Sequence, residues 1–204
     1  MRRWLGVCLL ACAGISQLVG QQSGRSVSFE RLGHREGLMA NMVYHVIADR
    51  SGMIWAATDR GLVRYDGIRF TSYKHHPGDT TSLSNNHAKY LLEDASGMIW
   101  VATQGGGLNR FDPTTGSFTH FRRDPADPAS LSNDEVLFLY EDSRQALWVG
   151  TENGLNRYHR ESESFTPFLH DPEDSLSLGN IAVLSIVEDR KGRLWVGSWD
   201  GGLN

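Results

Sequence analysis

Short apolar stretches separated by polar turns run along most of the chain, and they define a unit of four strands. Residues between the strands are turn formers, because Asp caps nearby amides and Gly accepts positive φ, as in Asp49-Arg50-Ser51-Gly52 and Asp66-Gly67. No segment shows a convincing helical period, so the pattern predicts antiparallel β structure. In the first unit, strands A, B, C and D are predicted at residues 43–48, 53–58, 62–65 and 69–74.

The unit is repeated along the chain. Trp55, Trp100, Trp148 and Trp195 are spaced by 45, 48 and 47 residues, and each follows an Asp by six positions. Four strands with their turns need about 40–50 residues, so this period predicts an all-β fold of four-stranded β-propeller blades. Blades 1 to 4 are predicted at residues 43–74, 87–121, 135–168 and 181–204, the last blade being incomplete, and an orphan outer strand with its linker is predicted at residues 27–38.

The four tryptophans are predicted to be structural core. A large flat side chain at one register of every strand B can fill the space between two twisted sheets, and periodic apolar positions usually mark a core. A row of tryptophans that stacks on sugars is the less favoured alternative.

The first residues differ from the repeats. Met1-Arg2-Arg3 is basic and residues 4–19 are mostly apolar, a pattern typical of a secretory signal peptide, predicted at residues 1–22. An uncleaved membrane anchor is the alternative, although the apolar run is short for a spanning helix. Both cysteines, Cys8 and Cys12, lie in this segment. The expected location is therefore periplasmic or otherwise extracytoplasmic.

Charge and candidate chemistry narrow the function classes. The formal net charge is −4 and no basic stripe appears, so nucleic acid is not an expected partner. The turn Asp49-Arg50-Ser51-Gly52 offers one carboxylate followed by a cation, unlike a calcium loop. The eight histidines are dispersed, and no nucleophile–base pair stands out. No metal, cofactor or catalytic residue is predicted.

The pattern D-x-x-G-x-[IL]-W-x-[AG]-[TS]-x-x-G-L-x-R-[YF], which begins at Asp49, Asp94 and Asp142 and again at Asp189, resembles the two-component regulator propeller repeat. The resemblance implies the extracytoplasmic sensor of a bacterial receptor, often seven-bladed, that binds small molecules or glycan fragments. It also implies further blades, a membrane anchor, a dimeric parent and an output domain such as a histidine kinase or diguanylate cyclase. No output module occurs in this sequence, so we expect an open arc from the N-terminal part of a longer receptor.

The four units differ most at the turn between strands B and C, the B–C turn. Binding residues concentrate on variable loops held by a rigid scaffold, so these turns are predicted to form a recognition face with the linkers between blades. Simple surface variation is the alternative. A secreted propeller enzyme (a lyase or glycosidase) and a protein-interaction scaffold are the other function classes. The candidate ligand-binding residues are Asp59, Arg60, Gln104, Glu152, Asn153, Trp199 and Asp200, with linker residues Asn86, Asn133 and Asn180.

Overall fold

The computed structural model describes residues 28–204, which contain fifteen strands and one short 3₁₀ helix. The predicted signal peptide at residues 1–22 lies outside the described residues. The chain divides into residues 1–31 and residues 32–204, and every strand belongs to the second unit. Within residues 28–204, no helix is long and apolar enough to cross a membrane.

The strands follow the predicted order, A to D in the first three repeats and A to C in the fourth. The 3₁₀ helix His34–Glu36 precedes β1 Val43–Ala48, β2 Ile54–Thr58, β3 Gly61–Tyr65, β4 Phe70–Tyr73, β5 Ala88–Glu93, β6 Ile99–Thr103, β7 Gly107–Asp112, β8 Ser117–Phe121, β9 Val136–Glu141, β10 Leu147–Thr151, β11 Gly154–His159, β12 Ser164–Phe168, β13 Val183–Glu188, β14 Leu194–Ser198 and β15 Gly202–Leu203.

Each repeat forms its own antiparallel sheet. Strands β1–β4, β5–β8 and β9–β12 pair in chain order as blades 1, 2 and 3, and β13–β15 form the three-stranded blade 4. The sheets stay separate and do not close into a barrel. The predicted all-β fold of four-stranded antiparallel blades is therefore confirmed.

Glycine begins the third strand of each complete blade for a steric reason. Gly61 has a φ of 114°, and a Cβ there would collide with the carbonyl oxygen of Tyr73 on the outer strand. Only glycine combines this backbone angle with such a close approach.

The hydrophobic core lies between neighbouring blades. Each inner strand packs on the next one, β1 on β5, β5 on β9 and β9 on β13. The cluster between blades 1 and 2 joins Trp55 to Phe111, with ring centroids 5.4 Å apart, and the next cluster joins Trp100 to Tyr158 at 5.0 Å. The tryptophan of one blade thus packs on the third strand of the following blade.

The four tryptophans are not equally buried. Trp55 and Trp100 are 1% and 0% exposed, Trp148 is half-buried, and Trp195 is 36% exposed. The prediction of a core residue needs correction at Trp195, because no blade among the described residues follows blade 4. Trp148 is intermediate because β15 ends at Leu203, before the position that holds Phe111 and Tyr158 in blades 2 and 3.

The orphan outer strand predicted at residues 27–38 is not observed. The described part of that range contains only the 3₁₀ helix His34–Glu36, and it pairs with no strand of the four sheets. An isolated extended segment is not stable without a neighbouring strand, so its apolar pattern alone does not create a strand.

Candidate functional site

The four B–C turns lie beside the segments that enter the inner strands. In each blade, the first residue of the turn donates its backbone N–H to a carbonyl oxygen just before strand A. The donor and acceptor pairs are Asp59 to Met42, Gln104 to His87, Glu152 to Glu135 and Trp199 to Ala182, at 3.2, 2.9, 3.1 and 2.9 Å. These turns and entry segments therefore form one end of each blade, here called the B–C end.

The carboxylate of Asp59 is hydrogen-bonded to the backbone that leads into strand A of its own blade. Its Oδ1 accepts the N–H groups of Met42 and Asn41 at 3.1 and 3.0 Å. These hydrogen bonds hold the pKa of the Asp59 carboxyl below its ordinary value. The predicted ligand-binding residue thus anchors the entry to β1, whereas the neighbouring Arg60 is exposed.

Gln104 and Glu152 are exposed on the turns of blades 2 and 3, and Asn153 is half-buried. Burial raises the pKa of Glu135 above its ordinary value, and repulsion from the Glu152 carboxylate raises this pKa further. The Gly105 N–H and the Lys89 ammonium oppose that rise. The turns of blades 2 and 3 therefore share one electrostatic environment.

Trp199 is the most exposed tryptophan of the repeats, at 63%. It opens the B–C turn of blade 4, where Asp200 adopts a φ of 53°. An aspartate tolerates this left-handed conformation better than most residues. The turn thus presents an aromatic ring beside a carboxylate, a pair that suits stacking and hydrogen bonding to a ligand.

The linker asparagines hold the entry to the inner strands. Asn133 Oδ1 accepts the Glu135 N–H at 2.7 Å, and Asn180 Oδ1 accepts the Ile181 N–H at 2.5 Å. The blade 2 equivalent is Asn85, which accepts the His87 N–H at 2.9 Å, and not the predicted Asn86. Asn86 instead accepts the N–H of His75 at 2.8 Å.

A set of inner-strand residues at the B–C end was not predicted. The pairing of strand A with strand B shifts by one residue near the start of every inner strand, which is a β-bulge. The Lys89 Nζ lies 3.8 Å from the centroid of the Tyr44 ring, so two of these positions already interact across blades. The residues at the bulges are Tyr44, Lys89, Leu137 and Leu184.

In the sequence, the signal that could have pointed to the bulge residues is their variability among the four repeats. Three of the other five strand A positions are apolar in every copy, whereas the bulge position changes from aromatic to cationic to aliphatic. The B–C end therefore combines aromatic, amide and charged groups on rigid strands, an arrangement suited to binding. Within the described part of the chain, no cluster of three or more His, Cys, Asp or Glu side chains could hold a metal ion.

Comparison with known families identifies the repeat. A family model described as "Two component regulator propeller" matches residues 82–105, 130–153 and 177–200. The chain carries two-component regulator propeller repeats. Each matched segment begins in a linker and ends in a B–C turn, so the match covers strands A and B of blades 2, 3 and 4.

The chain is also similar to solved structures. The chain is 30% identical, with a TM-score of 0.77 over 85% of its length, to a structure described as the extracellular domain of the hybrid two component system BT3049 from B. thetaiotaomicron. It is 27% identical, with a TM-score of 0.68 over 83% of its length, to the corresponding domain of BT4673 from the same organism. The chain spans 24% and 22% of those two structures.

The fold extends to enzymes of lower similarity. Virginiamycin B lyase from Staphylococcus aureus is 18% identical with a TM-score of 0.56, and the match covers 78% of this chain and 49% of the lyase. This likeness shows a common fold alone. No curated protein matches the chain by sequence.

Proposed function

We propose that these blades are the extracytoplasmic, ligand-sensing part of a two-component signalling receptor. The single observation that carries the proposal is the 30% identity, over 85% of the chain, to the extracellular domain of a hybrid two component system. The ligand is a small molecule or a glycan fragment. The output domain, a histidine kinase or a diguanylate cyclase, belongs to the receptor and not to these 204 residues.

The surface at the B–C end supports ligand binding as the role of these blades in the receptor. Exposed side chains of different chemistry lie on short turns between rigid strands, so a ligand can bind without a large conformational cost. Such a surface supports recognition, and the signal passes to the remaining parts of the receptor. The proposed location of these blades is outside the cytoplasm.

Trp199, Gln104 and Glu152 are the residues that we propose to contact the ligand. All three are exposed at the B–C end. Asp59 is not included in the test, because its carboxylate holds backbone N–H groups and its loss would disturb β1.

The test is binding of a panel of neutral and acidic oligosaccharides to the full chain by isothermal titration calorimetry. For an oligosaccharide that binds, we expect Trp199→Ala to raise the Kd about tenfold or more, since buried aromatic contacts dominate binding energies. Gln104→Ala and Glu152→Ala should have smaller effects. Ile68→Ala is the matched control, because Ile68 is 83% exposed on the turn between β3 and β4. A glycan fragment is ruled out as the ligand if no oligosaccharide binds, and the assignment of the contact residues fails if all three variants keep the wild-type Kd.

A further inference from the structure

A small cavity lies beside the linker between blades 1 and 2 and is here called the linker cavity. Its volume is about 220 Å³. His75, Asp79 and Thr80 of the linker line it, together with His120 of β8 and Arg122 just after that strand. Two imidazoles and one guanidinium thus share this cavity with one carboxylate.

The two imidazoles are held in place by consecutive carbonyl groups of the linker. His75 Nδ1 lies 2.8 Å from the carbonyl oxygen of Leu83, and His120 Nε2 lies 2.6 Å from that of Ser82. A carbonyl oxygen only accepts hydrogen bonds, so each of these ring nitrogens carries a proton and donates it. His75 Nε2 and His120 Nδ1 are therefore left for another partner, since neither forms a hydrogen bond within residues 28–204.

The second ring nitrogen determines what these histidines can bind. A neutral imidazole offers a lone pair there, whereas an imidazolium offers a second N–H donor. Histidine ordinarily gains this proton as the pH falls from about 8 to about 5. The linker carbonyl oxygens still accept from the charged rings, so protonation does not break their hydrogen bonds to the linker. An anion in the cavity would then gain a charge-assisted hydrogen bond from each ring.

Arg122 supplies a permanent positive charge to the same cavity. Its Nε donates to the carbonyl oxygen of Gly106, in the B–C turn of blade 2, at 3.3 Å. Among the described residues, Arg122 forms no ion pair with a carboxylate. Its other guanidinium N–H groups can therefore donate to a ligand, and their planar fork matches the oxygen atoms of an oxyanion.

Asp79 is the one carboxylate of the described residues that lines the cavity. Its Oδ1 accepts the hydroxyl and the N–H of Thr81 at 2.6 and 2.9 Å, and these hydrogen bonds hold the pKa of Asp79 below its ordinary value. Lys74 and His76 flank His75 in the chain and line an adjoining cavity with Asp79. Three cationic groups can therefore face one carboxylate, with two further basic side chains beside them.

The basic residues of this cavity are not part of the repeat. The linker between blades 2 and 3 forms a cavity at the same place. The positions correspond by strand register and by an equivalent linker hydrogen bond. The residues there are Arg123, Pro167 and Leu169, in place of His75, His120 and Arg122. The fold of a linker therefore does not require the two imidazoles.

We propose that the linker cavity binds an oxyanion, which is the sulfate ester or the carboxylate of an acidic sugar or other small molecule. The Arg122 guanidinium and the second ring nitrogens of His75 and His120 donate to the oxygen atoms of the anion. This inference goes beyond the proposed sensing role, since an anion can bind here whether or not the B–C turns contact a glycan. Binding requires protonated imidazoles, so it strengthens as the pH falls.

Titration of the full chain with inorganic sulfate, followed by NMR of the histidine rings, tests the site. At about pH 6 we expect saturable shifts of both rings with a millimolar Kd, and at about pH 8 a Kd about tenfold higher. Glucuronate and a glucose sulfate ester are the carboxylate and sulfate arms, and binding of either supports the proposal. Glucose is the neutral control and should shift neither ring.

Four results of this titration would overturn the proposal. They are an absence of saturable shifts at the lower pH, a Kd that is equal or lower at the higher pH, failure of both sugar anions to bind, and equal binding of glucose. A lower Kd at the higher pH would point to neutral imidazoles and hence to a different kind of ligand.

Three variants remove the proposed donors one at a time. His75→Asn and His120→Gln keep an amide N–H near the position from which each ring donates to the linker, and they delete the second ring nitrogen. We expect each to raise the sulfate Kd about fivefold at the lower pH and to weaken its pH dependence. Arg122→Gln should raise the Kd about tenfold.

Two matched controls separate this site from general attraction by surface charge. Arg123→Gln removes the same charge one residue away, and His170→Asn removes a ring whose Nδ1 lies 2.6 Å from the Leu178 carbonyl oxygen in the next linker but one. Both should change the Kd by about twofold or less, since salt screens distant surface charges. Losses in the controls equal to those in the donor variants, or a wild-type Kd in all three donor variants, would contradict the site.

Discussion

Each repeat carries an aspartate whose carboxylate binds both the turn that follows it and the tryptophan of the next strand. In blade 2, Asp94 Oδ1 accepts the N–H groups of Ser96 and Met98 at 2.8 and 3.1 Å. Its Oδ2 accepts the indole N–H of Trp100 at 2.7 Å. The spacing of six residues thus places the Trp indole N–H within hydrogen-bond reach of the Asp carboxylate. The same bond forms in the other three copies, which explains why the spacing recurs.

Asp94 also has a partner in blade 3. Arg160 donates to Asp94 Oδ2 and to Glu141 Oε1, each at 2.6 Å, while the Asp94 side chain is fully buried. Burial by itself would raise the pKa of Asp94, but the hydrogen bonds from Arg160, Ser96 and Trp100 outweigh it and hold the pKa below its ordinary value.

We predict that Asp94 makes stability sensitive to acid. Because its pKa is lower in the folded protein, the charged group stabilises the fold above the unfolded pKa of about 3.9, and this contribution is lost as the pH falls below it. Asp94→Asn should lower the free energy of unfolding by about 2 kcal/mol at neutral pH. The difference from wild type should shrink below about pH 4. Urea unfolding over a pH series measures both effects, and a difference that does not change with pH would contradict the linkage.

At the scale of elements, an asparagine in the third strand anchors the linker to its blade. Asn109 Oδ1 accepts the Ser84 N–H at 2.9 Å, and its Nδ2 donates to Ser84 Oγ at 2.8 Å. Asn156 binds Ser132 in the same way. Asn204 accepts the Gly179 N–H at 2.7 Å, so the repeat of Gly-Leu-Asn fixes where each linker enters its blade.

The interface between blades determines how much each tryptophan contributes to stability. An arginine lies over every ring, at 5.9 Å from Trp55, 5.8 Å from Trp100, 5.9 Å from Trp148 and 5.3 Å from Trp195. This cover is common to all four copies. What differs is the following blade, which buries the first two rings and part of the third, whereas no blade among the described residues follows the fourth.

We therefore predict a graded loss of stability along the tryptophan series. Trp100→Ala should lower the free energy of unfolding by about 3–5 kcal/mol, the usual cost of removing a large buried ring. Trp195→Ala should cost about 1 kcal/mol or less, and Trp148→Ala should lie between them. Urea unfolding of the single variants measures the series. Equal costs for Trp100 and Trp195 would contradict the assignment of the interfaces.

At the scale of the whole molecule, the interfaces between blades are less completely packed toward blade 4. The interface between blades 1 and 2 and that between blades 2 and 3 bury complete aromatic clusters. The interface between blades 3 and 4 contains a cavity of about 440 Å³ lined by Trp148, Leu155 and Phe168 among others. Fewer buried apolar contacts lower the free energy of local opening.

We predict that this decline is visible in hydrogen exchange. Backbone amides of β13–β15 should exchange faster than those of β5–β12, because blade 4 has three strands and an uncovered face. Exchange followed by mass spectrometry measures the protection of each strand. Equal protection of blades 2 and 4 would show that blade 4 is stabilised by something other than its neighbours.

The sequence by itself determined the architecture of the repeat. The all-β class, the propeller blade and the strands of blade 1, to within one residue at each end, follow from local patterns, because turns and alternating apolar residues act within about ten positions of the chain. The B–C end was predicted from variable turns. Tertiary structure decided which of those side chains are already hydrogen-bonded within the protein. The Asp59 carboxylate, for example, accepts the N–H groups of Asn41 and Met42.

Only the tertiary structure decided what each repeated position does. Trp100 and Trp195 stand at the same register, yet one is buried and the other is exposed, because burial depends on the following blade. The bond between Glu141 and Ala95 joins residues 46 positions apart and has no local signature. The predicted strand at residues 27–38 likewise needed a partner that its own pattern cannot supply. A repeat encodes its own strands, whereas its burial and its partners come from the blades on either side.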